Sequence, residues 1–295
     1  MEAEKQSISR GKGVVLMLAA CVAFSVMAAL VKYIAYVDAY KTSLARFIIG
    51  IAILGTAALA GKIRLEFNNT KLLLLRGLLG GAGIFITFLI YIKIGISKGT
   101  MLVSIYPIFA CLFAAIILKE KLKLVTLPAM AGAIAGIYFL SGGGNSGSGL
   151  FDRFGPYELL AVFNGVMAGF TVTLIRKLHR TDSSYSIFWA QCIVGFWLVL
   201  MPANAGSCQL GWKEAAVLLG IGISATSGQL MMTASYKYLP IRVGSIFGML
   251  EPTLNYFVGV MLFAEQFSKD SLLGATLIVG SCVIVLAKGK ENLKG

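Results

Sequence analysis

Ten stretches of the chain are apolar over roughly twenty residues each, and the polar positions gather between them. They fall at 14–36, 42–61, 72–92, 99–118, 124–141, 156–175, 185–203, 214–236, 243–264 and 271–288. A helix needs about 20 mostly apolar residues to cross the hydrocarbon core of a bilayer. A membrane barrel would instead show strands of about ten residues that alternate between apolar and polar, and these runs do not alternate. The pattern predicts an all-α integral membrane protein with ten transmembrane helices.

The cationic positions predict its orientation. Put the N-terminus in the cytoplasm. Eighteen of the 26 Lys and Arg then fall on the cytoplasmic side. Among them are Lys5, Arg10 and Lys12, then Lys62, Arg64, Lys71 and Arg76, then Lys119, Lys121 and Lys123, then Arg176, Lys177 and Arg180. Lys32, Lys41, Lys93, Lys98, Arg153, Lys213 and Lys269 face the other side, and Arg46 lies inside a segment. This bias predicts cytoplasmic termini. The first apolar run is longer than the core of a secretory signal, so it reads as an uncleaved first helix.

The pattern also repeats. Shift the chain by 145 positions and Gly50 meets Gly195, Gly77 meets Gly222, Gly83 meets Gly228, Tyr91 meets Tyr236, Gly99 meets Gly244, Pro107 meets Pro252 and Glu120 meets Glu265. Apolar matches arise by chance, but Tyr, Pro and Glu matching at one ungapped offset do not. Residues 1–140 form a first five-helix repeat, 141–155 a Gly/Ser linker ("SGGGNSGSG" within it), and 156–295 a second repeat. Five is odd, so the copies are expected to be inverted, an arrangement that places solute sites near mid-membrane between the halves.

Composition narrows the class further. The chain is 58% hydrophobic and 13% charged, with a mean hydropathy of +0.84, whereas soluble domains carry about 25% charged residues. A net charge of +13 would suit a nucleic-acid partner if it were clustered. Here it is split among short loops, so no nucleic acid is expected. Four of the five cysteines lie in apolar segments, and His179 is the one histidine. That argues against a disulfide framework and a structural metal site, and no cofactor is predicted.

"YPIFACLFAAIILKEKLKLVTLPAMAGAIAGIYFL" and "EPTLNYFVGVMLFAEQFSKDSLLGATLIVGSCVIVLAKG" resemble the hallmark stretch of the EamA-type family of the drug/metabolite transporter superfamily. Each has a proline in the fourth span of its repeat, then a glutamate thirteen residues later (Pro107 and Glu120; Pro252 and Glu265), then a Gly-bearing span. The resemblance covers nearly the whole chain. It implies ten helices, cytoplasmic termini and alternating-access transport of small metabolites such as amino acids or nucleobases, often as export. One departure is visible. The first-span "WG" of many members is absent, and the stretch reads "AFSVMAALVKY".

Within the spans, Glu251 stands out. A charge at the bilayer centre costs roughly 2.5–3.5 kcal/mol on insertion scales, and Pro252 beside it breaks the helix ladder. Its repeat partner is Tyr106, so the carboxylate belongs to one half only. Glu251 is read as a proton-coupling or substrate-binding group, against the alternative of a structural ion pair. Asn255, at i+4, is expected to share its face. Tyr106, Gln229, Asn164, Gln191, Tyr91 and Tyr236 are candidate cavity groups, because lipid-facing polar groups are costly. Arg46, with Lys32 and Lys93, would form a basic outer vestibule for anionic solutes, or else snorkel to headgroups. Pro107 and Pro252 are candidate hinges. Glu120 and Glu265 are read as structural, and the GxxxG stretches 165–169 and 132–136 as packing faces.

The expected function is secondary transport of small metabolites across the plasma membrane, as a proton-coupled exporter. Uptake and uncoupled diffusion are alternatives within that class. A membrane enzyme would need clustered nucleophile, base or metal ligands, and a sensor would need an attached domain; neither appears in the sequence. The expected partners are a small solute, the bilayer and protons, and the expected state is a monomer, since one chain holds both halves.

Overall fold

The computed structural model describes residues 2–120, 126–140, 155–204, 211–263 and 269–291. Their regular structure is helical throughout: α1 (Glu2–Tyr33), α2 (Ala39–Leu59), α3 (Thr70–Ile94), α4 (Ile96–Val103), α5 (Tyr106–Ile117), α6 (Thr126–Leu140), α7 (Pro156–Leu178), α8 (Ser184–Asn204), α9 (Trp212–Tyr238), α10 (Ile241–Gly248), α11 (Leu250–Phe263) and α12 (Lys269–Glu291). These twelve helices occupy the ten apolar segments, because two segments are broken. The fourth divides at Ser104–Ile105, between α4 and α5. The ninth divides at Met249, between α10 and α11.

Proline explains both breaks. Pro107 is the second residue of α5, and Pro252 the third of α11. Neither has an N–H for the carbonyl four residues back, so Val103 and Gly248 lose their helical partner. Non-helical backbone at membrane depth survives only where protein or a cavity covers it. The neighbours do cover it: a Cβ built on Gly165 of α7 would lie 3.0 Å from the Val103 carbonyl oxygen.

Seven described helices are long and apolar enough to cross a bilayer, from Arg10–Tyr33 to Ile241–Phe263. The other three predicted segments hold shorter apolar helices, Tyr106–Ile117, Leu127–Gly136 and Leu272–Ser281. Large apolar side chains such as Trp197, Met201 and Met261 point outward and are exposed, as a surface wetted by lipid requires. The chain is a multi-pass membrane protein.

Glycines set how closely the helices meet. A Cβ on Gly81 of α3 would stand 2.7 Å from Gly195 Cα of α8, and one on Gly136 of α6 would stand 2.6 Å from the Gly274 oxygen of α12. The predicted face at Gly165 and Gly169 packs on the α4–α5 break, where a Cβ on Gly169 would meet Ala110 N at 2.7 Å. Without a hydrophobic drive between helices in lipid, such close approach supplies the attraction.

The helices pair in a two-fold pattern. α1 packs on α9, as α7 packs on α3; α2 packs on α9, as α8 packs on α3. α1 meets α10 and α11, as α7 meets α4 and α5. α2 meets α8, and α6 meets α12. Exchanging each helix for the one 145 residues away turns this set of pairings into itself. Glu120 and Arg176 of opposite halves form an ion pair, Oε1 to Nε 3.7 Å, in keeping with a structural role for Glu120. Glu265, Cys208 and the linker up to residue 154 lie outside the described residues.

Candidate functional site

A cavity opens between the halves. α1 to α5 and α7 to α11 all contribute to its lining, and among the described residues the α6–α12 pair takes no part. It encloses about 190 Å³ accessible to the centres of water-sized molecules, far beyond the roughly 10–15 Å³ that one water needs on such a measure. Seven residues singled out from the sequence line it: Glu251, Tyr106, Gln229, Tyr91, Asn164, Gln191 and Arg46. Thr87, Thr100, Ser104, Thr171 and Arg76 join them.

Three charged side chains meet in this space. Arg46 sits two turns into α2 and is only 3% exposed. Its Nη2 donates to Gln229 Oε1 at 3.3 Å, its Nη1 lies 3.3 Å from Met27 Sδ, and its guanidinium stands 5.7 Å from the centre of the Phe88 ring. Arg76, in the second turn of α3, is 1% exposed and makes no hydrogen bond or ion pair among the described residues. Glu251 opens α11 just past the Met249 break and faces the cavity. Arg46 feels the charges of both Glu251 and Arg76. Among the described residues, no ion pair joins Glu251 to either arginine.

Two tyrosine pairs occupy equivalent places. Tyr236 and Ser245 form a hydrogen bond, Oη to Oγ 3.4 Å, and the positions 145 residues earlier, Tyr91 and Thr100, both line the cavity. Gly99 packs on the Tyr91 ring, with a Cβ there 3.3 Å from Cδ1, as Gly244 packs on Tyr236, 2.6 Å from Cε1. Tyr106 reaches across from α5 and donates to the Ser245 carbonyl at 3.3 Å. The start of α5 and the second turn of α10 are thus tied together across the halves.

Several expectations need correction. Asn255 does not share the Glu251 cavity; its Nδ2 donates to Thr100 Oγ1 at 3.3 Å, and it lines a separate crevice with Lys32. One turn of helix leaves the two residues about 40° apart, and contact with α4 captures the amide. Tyr236 is fully buried against Ser245 and is not among the residues that line this cavity. Of the three cations expected at an outer vestibule, Lys32 lies 4.4 Å from the centre of the Phe263 ring, Lys93 is exposed, and Arg46 is buried in the cavity wall, which rules out snorkelling for it. Arg76, counted from the sequence among the cytoplasmic-side cations, is buried in the second turn of α3 and lines the cavity. Tyr40 stacks on Phe85, ring centres 4.2 Å apart. Among the described residues, no three His, Cys, Asp or Glu side chains converge as metal ligands.

Residues 11–142 and again 155–287 match the model of the EamA-like transporter family. The pseudopaline exporter CntI of Pseudomonas aeruginosa is 23% identical over 95% of the chain and 97% of its own length. Solute carrier family 35 member G1 of Mus musculus is also 23% identical, over 95% of the chain and 79% of its own length. An uncharacterized transporter of Helicobacter pylori is 25% identical over 73% of each. A crystal structure of another protein superposes over 99% of both chains with a TM-score of 0.71 at 17% identity, a likeness of fold.

Proposed function

The chain belongs to the EamA-like transporter family, and from that premise we propose that it is a secondary transporter whose solute sits in the cavity between α1–α5 and α7–α11. The observation that carries this reading is the cavity itself, because buried polar side chains from both halves converge on it. A solute held there touches both halves at once, and a rocking of one half against the other would turn it from one face of the membrane to the other. The two-fold pairing of helices supports inverted repeats, and the cation bias supports cytoplasmic termini. The two proline breaks serve as hinges, with Pro107 and Pro252 holding them open.

Export across the plasma membrane is the proposed direction, in keeping with the name of the relative from Pseudomonas aeruginosa. Glu251 couples the step to protons. It faces the cavity without a bonded cation, so it has no structural partner to lose when it takes up a proton. Tyr91, Tyr106, Asn164, Gln191 and Gln229 orient the solute, and Arg46 is fixed by Gln229. The unit is one chain. Purified protein in liposomes, loaded with labelled amino acids or nucleobases, tests this: solute efflux with counter-movement of protons is expected. Efflux without proton movement would reduce the protein to a facilitator, and no efflux of any solute would overturn transport.

A further inference from the structure

Arg76 makes the cavity unbalanced. Arg46 and Arg76 bring two guanidinium groups to its wall, and among the described residues Glu251 brings the only carboxyl. Arg46 already has neighbours at both terminal nitrogens. Arg76 has none, and its Nε and Nη1 are sealed from solvent without a partner. A guanidinium cannot shed its proton to escape this cost. Buried without an anion, it carries a penalty of several kcal/mol.

We infer that the transported solute carries a carboxylate, and that this group docks on the Arg76 guanidinium at the α3–α8 side of the cavity. The inference rests on the transporter reading above. The local structure is shaped for it. Gly80 is one turn beyond Arg76, and a Cβ there would collide with Nη1 while standing 3.1 Å from Gln191 Cδ. Glycine therefore leaves the guanidinium and the Gln191 amide side by side. Gln191 Nε2 donates back to the Gly80 carbonyl at 3.3 Å, which turns Oε1 free, and that oxygen has no partner. Asn164 is oriented the same way: its Nδ2 donates to Thr87 Oγ1 at 2.9 Å, leaving Oδ1 unpaired. One cation plus two free acceptors calls for an anion that also carries N–H or O–H donors, such as an amino or hydroxy acid. Planar guanidinium and planar carboxylate match in geometry and charge, and one bound carboxylate balances the three charged side chains.

The test measures thermal stabilisation of the detergent-purified full chain and, separately, flux in proteoliposomes. The probes are L-lactate, L-malate, L-leucine and L-glutamate, each beside its amide, with inorganic phosphate, adenine and choline. A carboxylate is expected to stabilise and to move, and its amide is not. Arg76→Gln and Gly80→Ala should each weaken that carboxylate, the former by at least about thirtyfold, and Arg76→Lys should restore part of the loss. Flux of adenine or choline with no carboxylate moved would overturn the carboxylate assignment and leave transport standing. Stabilisation by a carboxylate without flux would uphold the assignment and sink transport. Stabilisation by phosphate alone would overturn it in favour of a phosphate site, and no response to any probe would overturn it outright.

Discussion

Arg46 of α2 and Gln229 of α9, residues from opposite halves of the chain, meet in the cavity wall with Nη2 and Oε1 3.3 Å apart. This contact joins the halves at the place where the solute is proposed to bind. Hydrogen bonds to charged groups contribute about 1.5–3 kcal/mol. Arg46→Gln and Gln229→Leu are therefore expected to be non-additive. A double-mutant cycle on thermal stability should return a coupling of about 1–2 kcal/mol, and purely additive losses would mean that the bond carries nothing.

Glu251 supplies a second prediction. Glu251→Gln keeps the shape and removes the titrating proton. Solute should still move down its own gradient, while an imposed proton gradient should no longer drive it. A variant that keeps wild-type proton-driven flux would remove Glu251 from coupling.

Close glycine contacts make stability predictions. Gly169→Val would push a side chain into Ala110 N and the Tyr106 carbonyl, 2.7 and 2.8 Å from the ideal Cβ. Overpacking of this kind costs about 1–3 kcal/mol, read as a lower melting temperature in detergent. Gly280→Ala, which meets nothing within 4 Å, should melt like the parent.

His179 caps the end of α7, and its Nε2–H donates to the Thr233 carbonyl at 2.7 Å. Burial, above all, holds its pKa below the ordinary value of 6.5. The unfolded chain then takes up the proton first, so this part of the stability is full above pH 6.5 and declines as pH falls through it. Melting between pH 7.5 and 5.5 should fall less steeply in His179→Gln than in the parent, and an unchanged slope would clear His179 of the effect.

Much of this was legible in the sequence, for a physical reason. Lipid demands long apolar runs and makes each buried polar residue costly, so Arg46, Gln229, Asn164 and Gln191 stand out against their surroundings. The 145-residue offset exposed the Tyr91–Tyr236 equivalence before any contact was known. Arg76 escaped because it follows Lys71 at the edge of an apolar run, where cations normally mark a loop. Its α3 neighbours Gly77, Gly80 and Gly81 were the available signal: so many small residues next to an arginine make room for it inside a helix interface. Asn255 misled because its periodicity places it beside Glu251, while the hydrogen bond to Thr100 comes from a helix 155 residues away. Spacing along one helix does not reveal which neighbour will claim a side chain.

The most direct test of the central claim is access to the cavity from the two faces of the membrane. Replace the five native cysteines and place a single cysteine at Thr171, on the cavity wall. Then apply a membrane-impermeant maleimide to right-side-out and to inside-out vesicles. Labelling is expected from both sides, at rates that shift in opposite directions when solute is added to one of them. Labelling from one side only, or from neither while the denatured protein labels fully, would contradict alternating access to this cavity.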